Sequence, residues 1–233
     1  MLIARKIRIF EKLFNFYNTF LLKKFFYKIH LENSSEFANR NPNLPTIIYA
    51  NHSNWWDGLI AFFLSQNIWK IDSYIMMDIE QLAKHKFFRR LGAFSVDKST
   101  ASTAYKAIEY SVELLKDPQK VLWIFPQGKM LPNDTRPLSF YSGLSKTMEK
   151  AGEVNLFSLS FRYEYLMEQR PEIFLKMKPF EINKNWNVKG LTDVLSDELT
   201  INLEILKSDI LNSNTSSYCT ILSGKKSIDK KKQ

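Results

Sequence analysis

Short apolar runs alternate along this chain with stretches of helical periodicity, and polar turns separate them. Residues 46–50, Thr-Ile-Ile-Tyr-Ala, are the first such run. A short continuous apolar run bounded by turn residues marks a strand buried on both faces. Residues 73–77, 94–96, 121–125, 154–161 and 173–180 read the same way. Between them the spacing predicts helices over 58–65, 81–90, 104–116, 143–151 and 191–211. Residues 99–103 supply cap types for the third of these, Gly152 closes the fourth, and Thr192 or Asp193 opens the last. This alternation predicts an α/β fold: a single domain with a mixed, largely parallel central sheet flanked by helices.

The first 30 residues break the pattern. They carry seven basic residues against one acidic, Glu11, among large apolar side chains such as Leu13, Phe14, Phe16, Phe20 and Leu22. Basic and apolar residues mixed at helical spacing describe a helix that lies in a membrane interface. The same pattern also fits a helix packed on its own domain with its lysines in water. The longest uncharged run, 13–22, is short of the roughly 18 apolar residues a spanning helix needs. The segment also lacks the small-residue cleavage site of a signal peptide. The expected organisation is therefore a basic amphipathic helix over 1–32, a compact domain over 33–212, and a polar, lysine-rich, disordered tail over 213–233.

Composition narrows the chemistry. The formal net charge is +9, which points to an anionic partner. No helix-turn-helix, zinc-finger or RNP pattern is present, so a membrane surface fits better than nucleic acid. The single cysteine, Cys219, cannot close an internal disulfide, which suits a reducing compartment. The three histidines are scattered with no metal-ligand spacing, and no nucleophilic Ser or Cys signature is visible.

Three segments at strand ends carry the candidate chemistry: 52–57, 126–128, and 92–98, which runs through the short strand over 94–96 to Lys98. Ligand sites of α/β sheets lie at such strand ends. In the first, His52 precedes Asp57 by five residues. Residues five apart do not share a face of one helix. The two can meet only if His52 sits in the strand-to-helix turn and Asp57 in the first helical turn. Ser53 and Asn54, turn formers, fit that arrangement. A carboxylate so placed fixes the imidazole tautomer and stabilises its charged form. The pair alone is equally compatible with a loop histidine and a helix cap.

Together the three segments resemble the motifs of the glycerolipid acyltransferase family, the lysophosphatidate-acyltransferase-like proteins. The Asn-His-x4-Asp motif is complete in Asn51, His52 and Asp57. The second motif, a glycine followed by a basic residue six on, is matched by Gly92 and Lys98, with lysine in the usual arginine place. The third, Phe-Pro-Glu-Gly-x-Arg, reads Phe125-Pro126-Gln127-Gly128-Lys129-Met130. Phe140 to Gly143 and the strand over 154–161 fit the family's next elements, with Ser158 where a proline is usual. The likeness spans residues 46–161.

The resemblance implies an O-acyltransferase that moves a fatty acyl group from acyl-CoA or acyl carrier protein to a lipid hydroxyl, with no bound cofactor or metal. It implies His52 as general base and Asp57 as its orienting partner. Asn51, Lys98, Phe125, Pro126, Gln127, Gly128 and Lys129 are the expected substrate contacts, and backbone N–H groups around Gly128, or Lys98, the expected oxyanion donors. In the family the third-motif Glu and Arg help bind the acceptor, the Arg often through its phosphate. Gln127 and Met130 remove both charges, so an acceptor without phosphate is expected, such as a glycosylated or other polar lipid, with Lys129 or Arg136 as substitute cations. A lysophosphatidate or lysophospholipid acyltransferase and a catalytically silent lipid-binding protein remain open. The expected location is the cytoplasmic face of a membrane, held peripherally through residues 1–30.

Overall fold

The structure is a computed structural model, and it describes residues 1–33, 35–181 and 187–226. Its centre is β2 (Thr46–Ala50), five residues that are all buried. Ile48 and Ala50 point into one apolar cluster, Ile47 and Tyr49 into another. A strand that must be apolar on both faces reads as a continuous hydrophobic run, which explains its legibility. Around it stand β3 (Asp72–Asp78), β4 (Ala93–Val96), β5 (Lys120–Ile124), β6 (Asn155–Glu164) and β7 (Glu172–Pro179). Two further strands, β1 (Lys28–Glu32) and β8 (Tyr218–Ser223), complete one eight-stranded sheet of order β4-β3-β5-β2-β6-β7-β1-β8. The strands β4, β3, β5, β2 and β6 are mutually parallel, whereas β6–β7 and β1–β8 are antiparallel. The sheet is thus mixed and largely parallel, as expected.

Helices cover both faces. On one lie α1 (Arg8–Phe25) and α2 (Asp57–Phe63), whose Leu22, Ile60 and Phe63 join Trp123, Phe157 and Phe161. On the other lie α4 (Ala101–Leu114), α5 (Gly143–Ala151) and α6 (Val188–Leu211), whose Ala107, Leu144, Met148, Leu195, Leu199 and Leu203 meet Leu122 and Leu156. The helix expected over 81–90 is divided into α3 (Ile79–Lys84) and a 3-10 turn, Lys86–Leu91. The α6 cap is Asn187, whose Oδ1 accepts from the Gly190 N–H, and not Thr192 or Asp193.

The ends of the chain depart from expectation. Residues 1–7 are not helical, and Ile7, before the first turn of α1, has an extended backbone. Leu2 exchanges hydrogen bonds with Ser95, and the Arg5 and Ile7 N–H groups donate to the Arg89 and Arg90 carbonyls. The segment thereby covers the open edge of β4, one way of blunting an edge strand. The boundary expected at residue 32 falls inside the sheet, because β1 pairs with both β7 and β8. Residues 213–226 are not a polar tail: Tyr218 and Leu222 are buried in β8. An edge strand with one wet face looks polar, and its partner lies 190 residues back, so no local pattern reveals it. The lysine-rich end, 227–233, lies outside the described residues.

The helix α1 turns several polar residues inward: Glu11 and Asn18 are buried on the same side as Leu22, and Asn15 is half-buried there. Glu11 pairs with Lys6 at 3.0 Å, Asn15 exchanges amide hydrogen bonds with Asn67, and Asn18 Nδ2 donates to the Leu59 carbonyl. Its outward face presents Ile9, Leu13, Phe16, Tyr17 and Phe20, Phe16 being 81% exposed. Among the described residues no helix is long and apolar enough to cross a membrane.

Candidate active site

His52 lies two residues beyond the last residue of β2, in the turn that leads to α2. Asn51 fixes the exit from the strand. Its Nδ2 donates to the Phe161 carbonyl at 2.9 Å and its Oδ1 accepts from the Phe161 N–H at 2.7 Å. The side chain extends the β2–β6 ladder beyond the backbone pairing, so Asn51, expected at the substrate, is a buried clamp at the strand end.

Asp57 is the first residue of α2 and fully buried. One oxygen, Oδ2, accepts from the Ser53 N–H at 2.7 Å, the Asn54 N–H at 2.8 Å and His52 Nδ1 at 2.8 Å. The other, Oδ1, accepts from the hydroxyl of Tyr163 on β6. A buried carboxylate is tolerable only when its lone pairs are used, and donors to it favour the charged form. A helix N-terminus adds favourable partial positive charge. With Nδ1–H directed at Asp57, Nε2 is the ring nitrogen left to accept a proton. The His52 side chain remains 24% exposed. The turn-plus-first-helical-turn arrangement needed for contact is therefore the one adopted.

Tyr163 is the participant that sequence reasoning missed. Burial, then the charge of Asp57 and the hydrogen bond to it, push its hydroxyl well above the usual tyrosine range, so it stays protonated and donates. The only available signal is strand alternation: Phe161 and Tyr163 share a face of β6, and Phe161 is the residue Asn51 grips.

The segment after β5 reaches His52 three times. The Phe125 ring stacks on the imidazole with centroids 4.7 Å apart. Gln127 Oε1 accepts from the His52 N–H at 2.7 Å, and the Leu131 N–H donates to the His52 carbonyl at 2.9 Å. Gln127 is buried. Expected as an acceptor contact, it instead holds the histidine's backbone, and an amide oxygen does that as a carboxylate oxygen would.

Lys98, past the end of β4, donates to the Gly128 carbonyl at 2.7 Å and lies 3.4 Å from Asp78. Gly128 adopts φ +63°, and a Cβ there would come within 2.8 Å of the Tyr141 ring. The Gly128 N–H already donates to the Phe125 carbonyl at 3.0 Å, which closes the turn. Of the expected oxyanion donors, the Gly128 N–H and the Lys98 ammonium are thus engaged within the protein in this arrangement. Pro126 is buried, and its carbonyl accepts from the Tyr141 N–H at 2.9 Å. Lys129 and Met130 are exposed. Arg136, a possible substitute cation, is held by Glu204 at 2.8 Å and by the Asn133 and Thr135 carbonyls. Trp56 packs between Phe25 and Phe26, whereas Trp55 is exposed. A cavity of about 950 Å³ lies at the opposite end of the sheet, at the start of β6, with Asn155, Leu156 and Val188 in its walls. It has no part in the His52 site.

A family model described as Acyltransferase matches residues 28–162, which take in all three strand-end segments. The chain belongs to this acyltransferase family. It is also similar to the 1-acyl-sn-glycerol-3-phosphate acyltransferase of Streptococcus pneumoniae (strain ATCC BAA-255 / R6), 30% identical over 111 residues. That match covers 46% of this chain and 39% of the relative's length.

Proposed function

We propose that the chain transfers a fatty acyl group from a thioester, acyl-CoA or acyl carrier protein, to a lipid hydroxyl at a membrane surface. The observation that carries this reading is the 2.8 Å contact between His52 Nδ1 and a fully buried, fully partnered Asp57. The acceptor hydroxyl gives its proton to His52 Nε2 as its oxygen attacks the thioester carbonyl. The tetrahedral intermediate expels the thiolate, which takes the proton back from the imidazolium. Asp57 stabilises the charged ring between these steps. General base catalysis of this kind is worth about 10²–10⁴ in rate. The test is acyl transfer by purified protein with labelled donors and a total lipid extract. A labelled lipid should form with wild type, and His52→Ala should lower the rate by about that factor. Equal labelling by the variant, or consumption of donor without an acceptor, overturns the reading.

The acceptor we infer lacks phosphate. Met130 stands where the family motif carries arginine, and both Lys98 and Arg136 are engaged within the protein. A second reading, a lysophosphatidate acceptor, is favoured by the similarity to the pneumococcal 1-acyl-sn-glycerol-3-phosphate acyltransferase. The headgroup of the labelled product separates the two.

The membrane reading rests on α1, with the cytoplasmic leaflet as the expected surface. A helix that buries Glu11 and Asn18 beside Leu22 while exposing Ile9, Leu13, Phe16 and Phe20 suits an apolar phase on its outer side. Lys12, Lys23 and Lys24 on the same helix suit anionic headgroups.

A further inference from the structure

A second exposed apolar group stands at the His52 end of the sheet. Strand β6 runs parallel to β2, so both emerge at the same end. The turn that follows β6 presents Tyr165, Leu166 and Met167 to solvent, Met167 at 93% exposure. The turn is anchored at its base. The Tyr27 N–H donates to the Pro171 carbonyl at 3.0 Å, and Arg170 donates to the Lys225 carbonyl at 2.6 Å. Three adjacent large apolar side chains held out on a fixed turn are costly in water. They sit beside the end of α1: Tyr163, two residues before Tyr165, touches Phe26, and the exposed Phe25 and Trp55 both pack on Trp56. Lys23, Lys24, Lys28, Arg170, Lys225 and Lys226 lie in the same segments; of the acidic residues there, Glu164 pairs with Arg162, Glu172 with His30, and Glu168, next to the tip, is buried. An apolar tip among cations is complementary to an anionic bilayer leaflet, where apolar burial and headgroup attraction add.

We propose that residues 165–167 are a second membrane-inserting element, distinct from α1, which seats the His52 end of the sheet against the headgroups of an anionic leaflet. This rests on the membrane reading of α1. The occupant is lipid and not a protein surface because the tip follows Tyr163, which touches Phe26 at the end of α1, and lies at the end of the sheet where a lipid hydroxyl must reach His52.

The test uses the full chain with Cys219→Ser, which removes the single thiol. An environment-sensitive fluorophore is attached in turn to Met167→Cys, Phe16→Cys and, as a control on α4's flank, Lys116→Cys, and vesicles of equal parts phosphatidylglycerol and phosphatidylethanolamine are added. The labels at 167 and 16 should brighten severalfold and shift to the blue, and the label at 116 should not. The combined Tyr165→Ser, Leu166→Ser, Met167→Ser variant should bind the vesicles about tenfold more weakly with an unchanged melting temperature. A response at 16 without one at 167 overturns the second element and leaves α1 as the docking surface. A response at neither, with wild type left in solution, overturns the membrane reading itself.

Discussion

Tyr163 and Asp57 are joined by a hydrogen bond from the phenolic hydroxyl to Oδ1, so the carboxylate that faces His52 on one oxygen is gripped from β6 on the other. Two elements remote in sequence therefore fix one carboxylate. Replacing Tyr163 by Phe leaves a buried Oδ1 without a partner. A hydrogen bond to a charged group is worth roughly 1.5–3 kcal/mol, so kcat should fall on the order of tenfold or more. The kinetics separate the two roles: kcat should fall with KM little changed, whereas an unchanged kcat beside a lower melting temperature would confine Tyr163 to packing. Held well above its usual range, the wild-type tyrosine itself contributes no titration near neutrality.

Gln127 decides between two accounts of the altered third motif. If its amide oxygen serves the His52 N–H, Gln127→Glu retains an acceptor and activity should change only a few-fold on the same product lipid. Gln127→Leu strands the partly buried His52 N–H, at about 1 kcal/mol or more, and should lower both melting temperature and rate. A change of product headgroup in Gln127→Glu would return the residue to acceptor recognition.

Gly128 is constrained twice, by its left-handed backbone and by the Tyr141 ring. Gly128→Ala should lose about 1–3 kcal/mol of stability and much of the activity. Adding Tyr141→Ala relieves the crowding but not the dihedral, so recovery in calorimetry should be partial. Full recovery would show that crowding alone sets the cost.

Asp134 links the segment after β5 to β6 and α6 through Arg162 at 2.9 Å and Lys207 at 3.0 Å. Hydrogen bonds from these two hold its carboxyl at about 2, against about 3.9 for a free aspartate. A depressed carboxyl contributes stability present above its unfolded value and lost as pH falls through its folded one. Melting temperature should therefore decline between pH 4 and 2, and less steeply in Asp134→Asn. The carboxylate is partly exposed, so salt should flatten the difference. Parallel declines in the two proteins would remove Asp134 as a source of acid sensitivity.

What the sequence made legible was local. The strand over 46–50 and the helix over 143–151, closed by Gly152, were read to the residue, because each carries its period and its stop within a few positions. His52 and Asp57 were readable because turn chemistry brings them together without help from elsewhere. What was hidden depends on partners far along the chain. The strands β1 and β8 are short, half polar, and defined by each other across most of the sequence. Tyr163 acts through a register that only the folded β2–β6 pair supplies. The membrane-like composition of residues 1–30 was visible, but not that α1 would bury Glu11 and Asn18 with Leu22 and leave Ile9, Leu13, Phe16 and Phe20 bare, since a helical period does not say which face meets the core.

The tethering of α1 at both ends has a mechanical consequence. Its start is stitched to Arg89 and Arg90 through residues 5 and 7, and its end runs into β1 inside the sheet. A helix so fastened is a keel and not a hinged arm. Whatever surface its outer side rests on meets the whole protein at one attitude, so a molecule rising from that surface approaches His52 along a single bearing that folding has already chosen.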